Sequence, residues 1–180
     1  AYNPMSYHNG SVWPHDNSLA CAGMGTMHDT TKIHKVMKAL LDVAATQPEN
    51  RLPELFSGFS RDKADMPVSY PVSCVPQAWA AGSMLMMLTS CLGLEPDPIN
   101  HKLRVNQPNI PDWLGTVEIS RLKVGGGSAD LKFENKDGKT VCTVSSANGL
   151  QVEVVPTSAS SLLKPLQPLQ AASKAAPAVR

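Results

Sequence analysis

A chain of 180 residues carries 16 Lys and Arg against 15 Asp and Glu, a formal net charge of +1 with no clustering of one sign. That excludes the basic stripe a polyphosphate partner needs, so nucleic acid is not expected as a partner. The length suits one domain of ordinary size, or a helical part plus a small β module, and the 4 Cys show no Cys-x-x-Cys spacing, which favours reduced thiols in a cytoplasmic protein over a disulfide scaffold or a zinc site.

The opening Ala1-Tyr2-Asn3-Pro4 has no basic region leading into an apolar core, so no secretory signal is expected. Pro4, Gly10 and Pro14 interrupt any early helix, which makes residues 7–16 an ordered loop entering a helix near Asn17 or Ser18 as cap; Asp16 is a carboxylate that competes with Glu54, either capping that helix or hydrogen bonding to sugar hydroxyls. Ile33, Val36, Met37, Leu40, Leu41 and Ala44 then recur at helical spacing with Lys32, Lys35 and Lys38 off the stripe; Asp29 or Thr30 caps this helix and Pro48 stops it. A third helix starts at Pro76 and runs to about Leu92, apolar almost all the way round. Gln77, Ser83, Thr89 and Ser90 dilute it and no Lys or Arg brackets it, so it is expected to be buried on every side in protein, with no membrane as partner.

Past Gly93 the composition shifts: Pro96, Pro98, Pro108 and Pro111 carry the chain away from helix and mark a domain edge. From Trp113 onward short two-periodic runs (Val117 with Ile119, Leu131 with Phe133, Val152 with Val154) predict three or four antiparallel strands, with Lys136-Asp137-Gly138 as a turn and Asn148-Gly149 as a two-residue hairpin turn. Gly125-Gly126-Gly127 lacks the Lys-Ser or Lys-Thr pair of a phosphate loop and reads as a strand connection. Residues 156–180, rich in Ala, Ser, Pro, Leu and Gln, bury too little to order themselves and are expected to be disordered.

The chemistry concentrates in three blocks. Tyr7-His8-Asn9-Gly10-Ser11-Val12-Trp13-Pro14-His15-Asp16-Asn17 supplies flat apolar faces and in-plane hydrogen-bonding groups, the combination that holds a pyranose ring. Arg51-Leu52-Pro53-Glu54-Leu55-Phe56 sets one carboxylate among apolar neighbours, braced by proline, where it can polarise a water. Gln77-Ala78-Trp79 lies downstream, with Gln77 placed either to orient Glu54 or substrate or to satisfy a backbone group, and Trp79 more naturally a core residue. Arg51 either pairs with Glu54, which would weaken it as a base, or reaches another carboxylate. His8, His15 and Asp16 could be drawn as metal ligands, but their spacing fits no zinc pattern; no metal or other cofactor is expected, and the histidines are assigned to sugar contact or to orienting water.

Tyr7-His8-Asn9-Gly10 with Trp13-Pro14-His15-Asp16-Asn17, then Arg51-Leu52-Pro53-Glu54-Leu55, then Pro71-Val72-Ser73-Cys74-Val75-Pro76-Gln77-Ala78-Trp79-Ala80-Ala81-Gly82-Ser83, resembles in order the C-terminal end of the helical-toroid glycosidases of the glycogen debranching type, the amylo-alpha-1,6-glucosidases. The resemblance covers the first half of the chain closely. It implies a mainly α fold: the last hairpins of an (α/α)6 toroid over residues 1–95, a small antiparallel β module over 96–155 and the tail over 156–180. It also implies inverting hydrolysis of alpha-1,6-glucosidic branch linkages in a glycogen-like glucan, with Glu54 as general base, Tyr7, His8, Trp13, His15, Asp16, Arg51, Gln77 and Trp79 around the substrate, and the acid in an upstream part of the toroid. Partners are then a glucan oligosaccharide or polysaccharide and the rest of that domain. A related toroid glycosidase of other sugar specificity, and a non-catalytic carbohydrate-binding or interaction module, remain as alternatives.

Overall fold

The computed structural model describes residues 1–157; beyond Thr157 the tail expected to be disordered lies outside the described residues. Three helices come first: α1 (Pro14–Thr26), α2 (Thr30–Ala44) and α3 (Ala78–Leu92). Pro14 opens α1 rather than delaying it, because its fixed φ and missing N–H suit the first helical position, behind an extended Trp13. Asp16 therefore stands in the first turn and is not the cap.

Helix α2 follows its stripe. Ile33, Met37, Leu40, Val43 and Ala44 are buried while Lys32, Lys35 and Lys38 face solvent. Lys32 pairs with Asp29 at 2.6 Å, and Lys38 pairs with Asp42. Helix α3 departs from expectation: it buries one stripe, Ala80, Ser83, Met87, Cys91 and Leu92, and leaves Trp79, Leu85 and Met86 exposed on its other side. Its neighbours α1 and α2 cover one flank only. Among the described residues no helix is long and apolar enough to cross a membrane.

Gly93 ends α3 in the left-handed region, at φ 62°, and a Cβ there would sit 2.0 Å from the Asn106 carbonyl oxygen. Only glycine lets the chain turn so tightly into the strands that follow. These are β1 (Leu94–Asp97), β2 (Lys102–Asn106), β3 (Thr116–Val124), β4 (Gly127–Lys136), β5 (Lys139–Asn148) and β6 (Gln151–Val155). Strands β3, β4 and β5 form an antiparallel meander through two-residue turns at Gly125-Gly126 and Asp137-Gly138. The second sheet has the order β1-β2-β6, with β1 antiparallel and β6 parallel to β2.

Two expectations change here. Asn148-Gly149 is not a hairpin turn: it hands the chain from one sheet to the other, because β6 sets Val152 and Val154 against Leu103 and Val105 of β2 and so completes an apolar inner face. Pro96, taken as a sign of irregular chain, lies in β1, an edge strand, where its missing N–H costs no ladder bond on the open side.

The fold class also changes. Helix accounts for 31% and strand for 29% of the described residues, so the chain is a mixed α/β fold and not the mainly α end of a toroid. Its two sheets and the end of α3 share one core, built on Leu92, Leu103, Val105, Ile110, Leu131 and Phe133. A second cluster, with Cys21, Ile33, Met37, Leu40, Met87 and Cys91, joins the helices, and Leu88 packs against both. Phe133, fully buried, is the largest side chain in the sheet core. Phe133→Ala is expected to cost about 3–5 kcal/mol through lost contacts and the cavity left behind; Val141→Thr on the exposed flank of β5 should stay within about 0.5 kcal/mol of the parent. Denaturant midpoints of the two variants check this.

Candidate functional site

Glu54 is carried on a short ribbon, residues 52–58, that runs between two other loops. Val12 N–H donates to Phe56 O at 2.8 Å and Phe56 N–H returns a bond to Val12 O at 3.1 Å. On the other side Ser57 N–H reaches Val68 O at 2.8 Å and Glu54 N–H reaches Cys74 O at 2.9 Å. The ribbon thus behaves as the central strand of a minimal sheet, with isolated antiparallel bridges from Phe56 to both Val12 and Ser69. Leu52, Pro53 and Leu55 are buried beneath it, which fixes its register and leaves Glu54 half-buried at the rim. Packing between the loops is closest at Gly58, where a Cβ would lie 1.8 Å from the Gly10 carbonyl oxygen. The hydroxyl of Tyr2 also donates to the Gly58 carbonyl.

The Glu54 carboxylate is held at both oxygens. The Tyr7 hydroxyl donates to Oε1 at 2.6 Å and the Cys74 backbone N–H donates to Oε2 at 3.0 Å. The Tyr7 bond, then the Cys74 bond, then the nearby His15 hold its pKa below the usual glutamate value against the opposing effect of desolvation. The same bond pushes the Tyr7 phenol up to about 12, since losing its proton would bring two negative charges together.

Rings surround this pair. Tyr7 lies edge-on to Trp13 with centroids 4.6 Å apart, to His8 at 4.8 Å and to Tyr70 at 5.6 Å. Trp13 donates its indole N–H to the Tyr7 carbonyl at 2.9 Å, which locks the loop around its own ring, and His8 stacks parallel to Trp13 at 5.9 Å. Trp79, expected as core, is instead 62% exposed and stacks on His15 with centroids 4.5 Å apart. His15 Nε2 reaches Asp16 Oδ1 at 2.9 Å, while its Nδ1 is buried with no hydrogen-bond partner. The structure thus brings Glu54, Tyr7, His8, Trp13, His15 and Trp79 to one rim, with Asp16 at its outer edge, 64% exposed.

Arg51 and Gln77 lie elsewhere. Arg51 pairs with Glu49 at 2.9 Å on the surface and leaves Glu54 alone. Both line a hollow of about 680 Å³ between α2 and α3, walled by Leu41, Ala44, Leu52 and Met84. Glu54 does not line it, and its apolar walls suit a hydrocarbon surface better than a hydroxylated ring. Gln77 Oε1 is buried without a partner.

Two contributors escaped the sequence reading. Tyr70 touches Tyr7, and its place in the proline-flanked run Pro67-Val68-Ser69-Tyr70-Pro71 was an available signal, an aromatic in a stiffened loop. Cys74 acts through its backbone N–H, which any residue but proline would supply, so its identity carried no signal. Among the described residues no cluster of three or more His, Cys, Asp or Glu is placed to hold a metal ion. No protein-family model matches the chain, and no curated protein matches it.

The clamp has a pH window. Because the folded Glu54 pKa is depressed, its contribution to stability is present above the unfolded glutamate value and is lost as pH falls through the folded one. Because the Tyr7 pKa is raised, its contribution is present below about 10 and is lost as pH rises through about 12. The stability difference between parent and Tyr7→Phe is expected to be widest between these limits and to shrink at both ends, and denaturation curves collected across pH check it.

Proposed function

We propose that the rim around Glu54 is the base side of an inverting glycoside hydrolase site acting on alpha-1,6-glucosidic branch linkages of a glycogen-like glucan. One observation carries the reading: a carboxylate ionised at neutral pH, fixed at both oxygens by Tyr7 and Cys74, stands among rings that suit a sugar. Each carboxylate oxygen keeps a free lone pair, so a water can still bond to Glu54 and give up its proton during attack. Inversion needs a second carboxyl group about 6.5–9.5 Å away to protonate the leaving oxygen. Asp16 is poorly suited, since it is exposed and engaged with His15, and on the proposed reading the acid lies upstream of this chain. No cofactor takes part in this chemistry. A reducing, cytoplasmic setting fits four cysteines that are all free, with burial pushing the Cys91 thiol up to about 12 and the Cys142 thiol to about 11.

In the complete protein Glu54→Gln is expected to lower turnover by about 10²- to 10⁴-fold while leaving glycan affinity unchanged, because the amide keeps the shape but cannot accept the water's proton. Hydrolysis of a branched oligosaccharide, followed for both rate and anomeric product, is the measurement. Parental turnover would remove the assignment.

The exposed Trp79 ring favours a second reading, a non-catalytic carbohydrate-binding module in which Trp79 and His15 form a stacking platform. Trp79→Ala should then weaken binding of a glucan oligosaccharide by about fivefold in calorimetry, with Glu54→Gln leaving both binding and any residual hydrolysis untouched.

A further inference from the structure

Resting on the hydrolase reading, we infer that Tyr7 is a positioning residue for Glu54 and not, as its place in a sugar-binding loop suggests, a contact to substrate. A phenol has one hydrogen to donate, and Tyr7 gives it to Glu54 Oε1 at 2.6 Å. That leaves a ligand hydroxyl only the acceptor side of the Tyr7 oxygen. The ring itself is enclosed edge-on by Trp13, His8 and Tyr70, so its direction is set by packing before any ligand arrives. The Trp13 indole bond to the Tyr7 carbonyl closes the arrangement from the backbone side.

The consequence is geometric. A carboxylate on a half-exposed glutamate normally samples several rotamers about χ3, and each removes its lone pairs from the line of the attacking water. Tyr7 on one oxygen and the Cys74 N–H on the other fix the carboxylate plane, so the free lone pairs point in set directions. Cys74 contributes chiefly through its backbone, its thiol being a smaller influence, so Tyr7 is the side chain on which this orientation mainly depends. Other titratable groups bear on Glu54 as well: His15 from the start of α1, itself paired with Asp16, and the Cys74 thiol; Tyr70 acts on Tyr7 from the 68–77 segment.

The test compares the complete protein with Tyr7→Phe, which keeps the ring and its packing and removes only the hydroxyl. Two readouts are needed: the Glu54 carboxyl titration by carbon NMR, and the pH profiles of kcat and kcat/KM on a branched oligosaccharide. The expected result is a Glu54 titration moved to higher pH, an acid limb of the rate profile moved the same way, kcat lower by about tenfold or more from misalignment, and KM within about twofold of the parent. A Glu54 titration that does not move, or a raised KM with unchanged kcat and unchanged acid limb, overturns the positioning role and restores Tyr7 as a substrate contact. Parental turnover in Glu54→Gln, measured alongside, overturns the base assignment and the positioning role with it, whatever the titration shows, so the two failures are told apart.

Discussion

The ribbon at residues 52–58 is the constraint on which the site depends. Neither a helix nor either named sheet carries Glu54; its place is set by backbone bonds to the loop before α1 on one side and to the loop before α3 on the other. Each such bond contributes only about 1 kcal/mol net, but leaving the groups buried and unmade would cost more. Burial of Leu52 and Leu55 holds the ribbon down, and the close approach of Gly58 to Gly10 holds it sideways. Three stretches distant in sequence are thereby kept in one register, so that a tyrosine from the first, a glutamate from the second and a backbone N–H from the third can meet.

That meeting involves opposed effects. Hydrogen bonds to the charged form of a carboxylate lower its pKa and so its strength as a base. They also fix where its lone pairs point, and a displacement of about 1 Å at a reacting atom is worth about 10²-fold in rate. A pKa unit on a general base changes the rate by less than about tenfold under Brønsted behaviour. On the proposed hydrolase reading orientation therefore outweighs basicity for Glu54, whose depressed pKa keeps it ionised at neutral pH.

Legibility in the sequence followed the physics of each segment. Helix α2 was readable almost residue by residue because its apolar stripe has one period and its lysines fall on the other face. Helix α1 was misplaced because proline was treated as a breaker when it is a starter at the first turn. The fold class was misjudged because motif order in the first half was given more weight than the alternating pattern from Leu94 onward, where Lys102-Leu103-Arg104-Val105 already alternates outward and inward. The resemblance sets Tyr7, Trp13 and His15 around the same substrate as Glu54, and the structure gathers them at one rim; the direct Tyr7–Glu54 bond is not legible in the sequence, since it depends on a register that only the assembled ribbon defines. Arg51 and Gln77 illustrate the limit of adjacency: Arg51 is three residues from Glu54 and Gln77 three from Cys74, which bonds to Glu54, yet both line the hollow between α2 and α3.

The parallel pairing of β6 with β2 bears on how the chain assembles. About 45 residues, the whole β3–β5 meander included, separate the two partners, so their contact carries a loop-closure cost that local hairpins do not. Until β6 arrives, β1 and β2 are a two-stranded ribbon, which is marginal in water by itself. Leu88 and Leu92 at the end of α3 rest on the core that this sheet closes. The contacts of the meander are local in sequence, whereas the sheet under the end of α3 is closed only by Gln151–Val155, the last strand described, so this part of the core depends on the most distant pairing among the named strands.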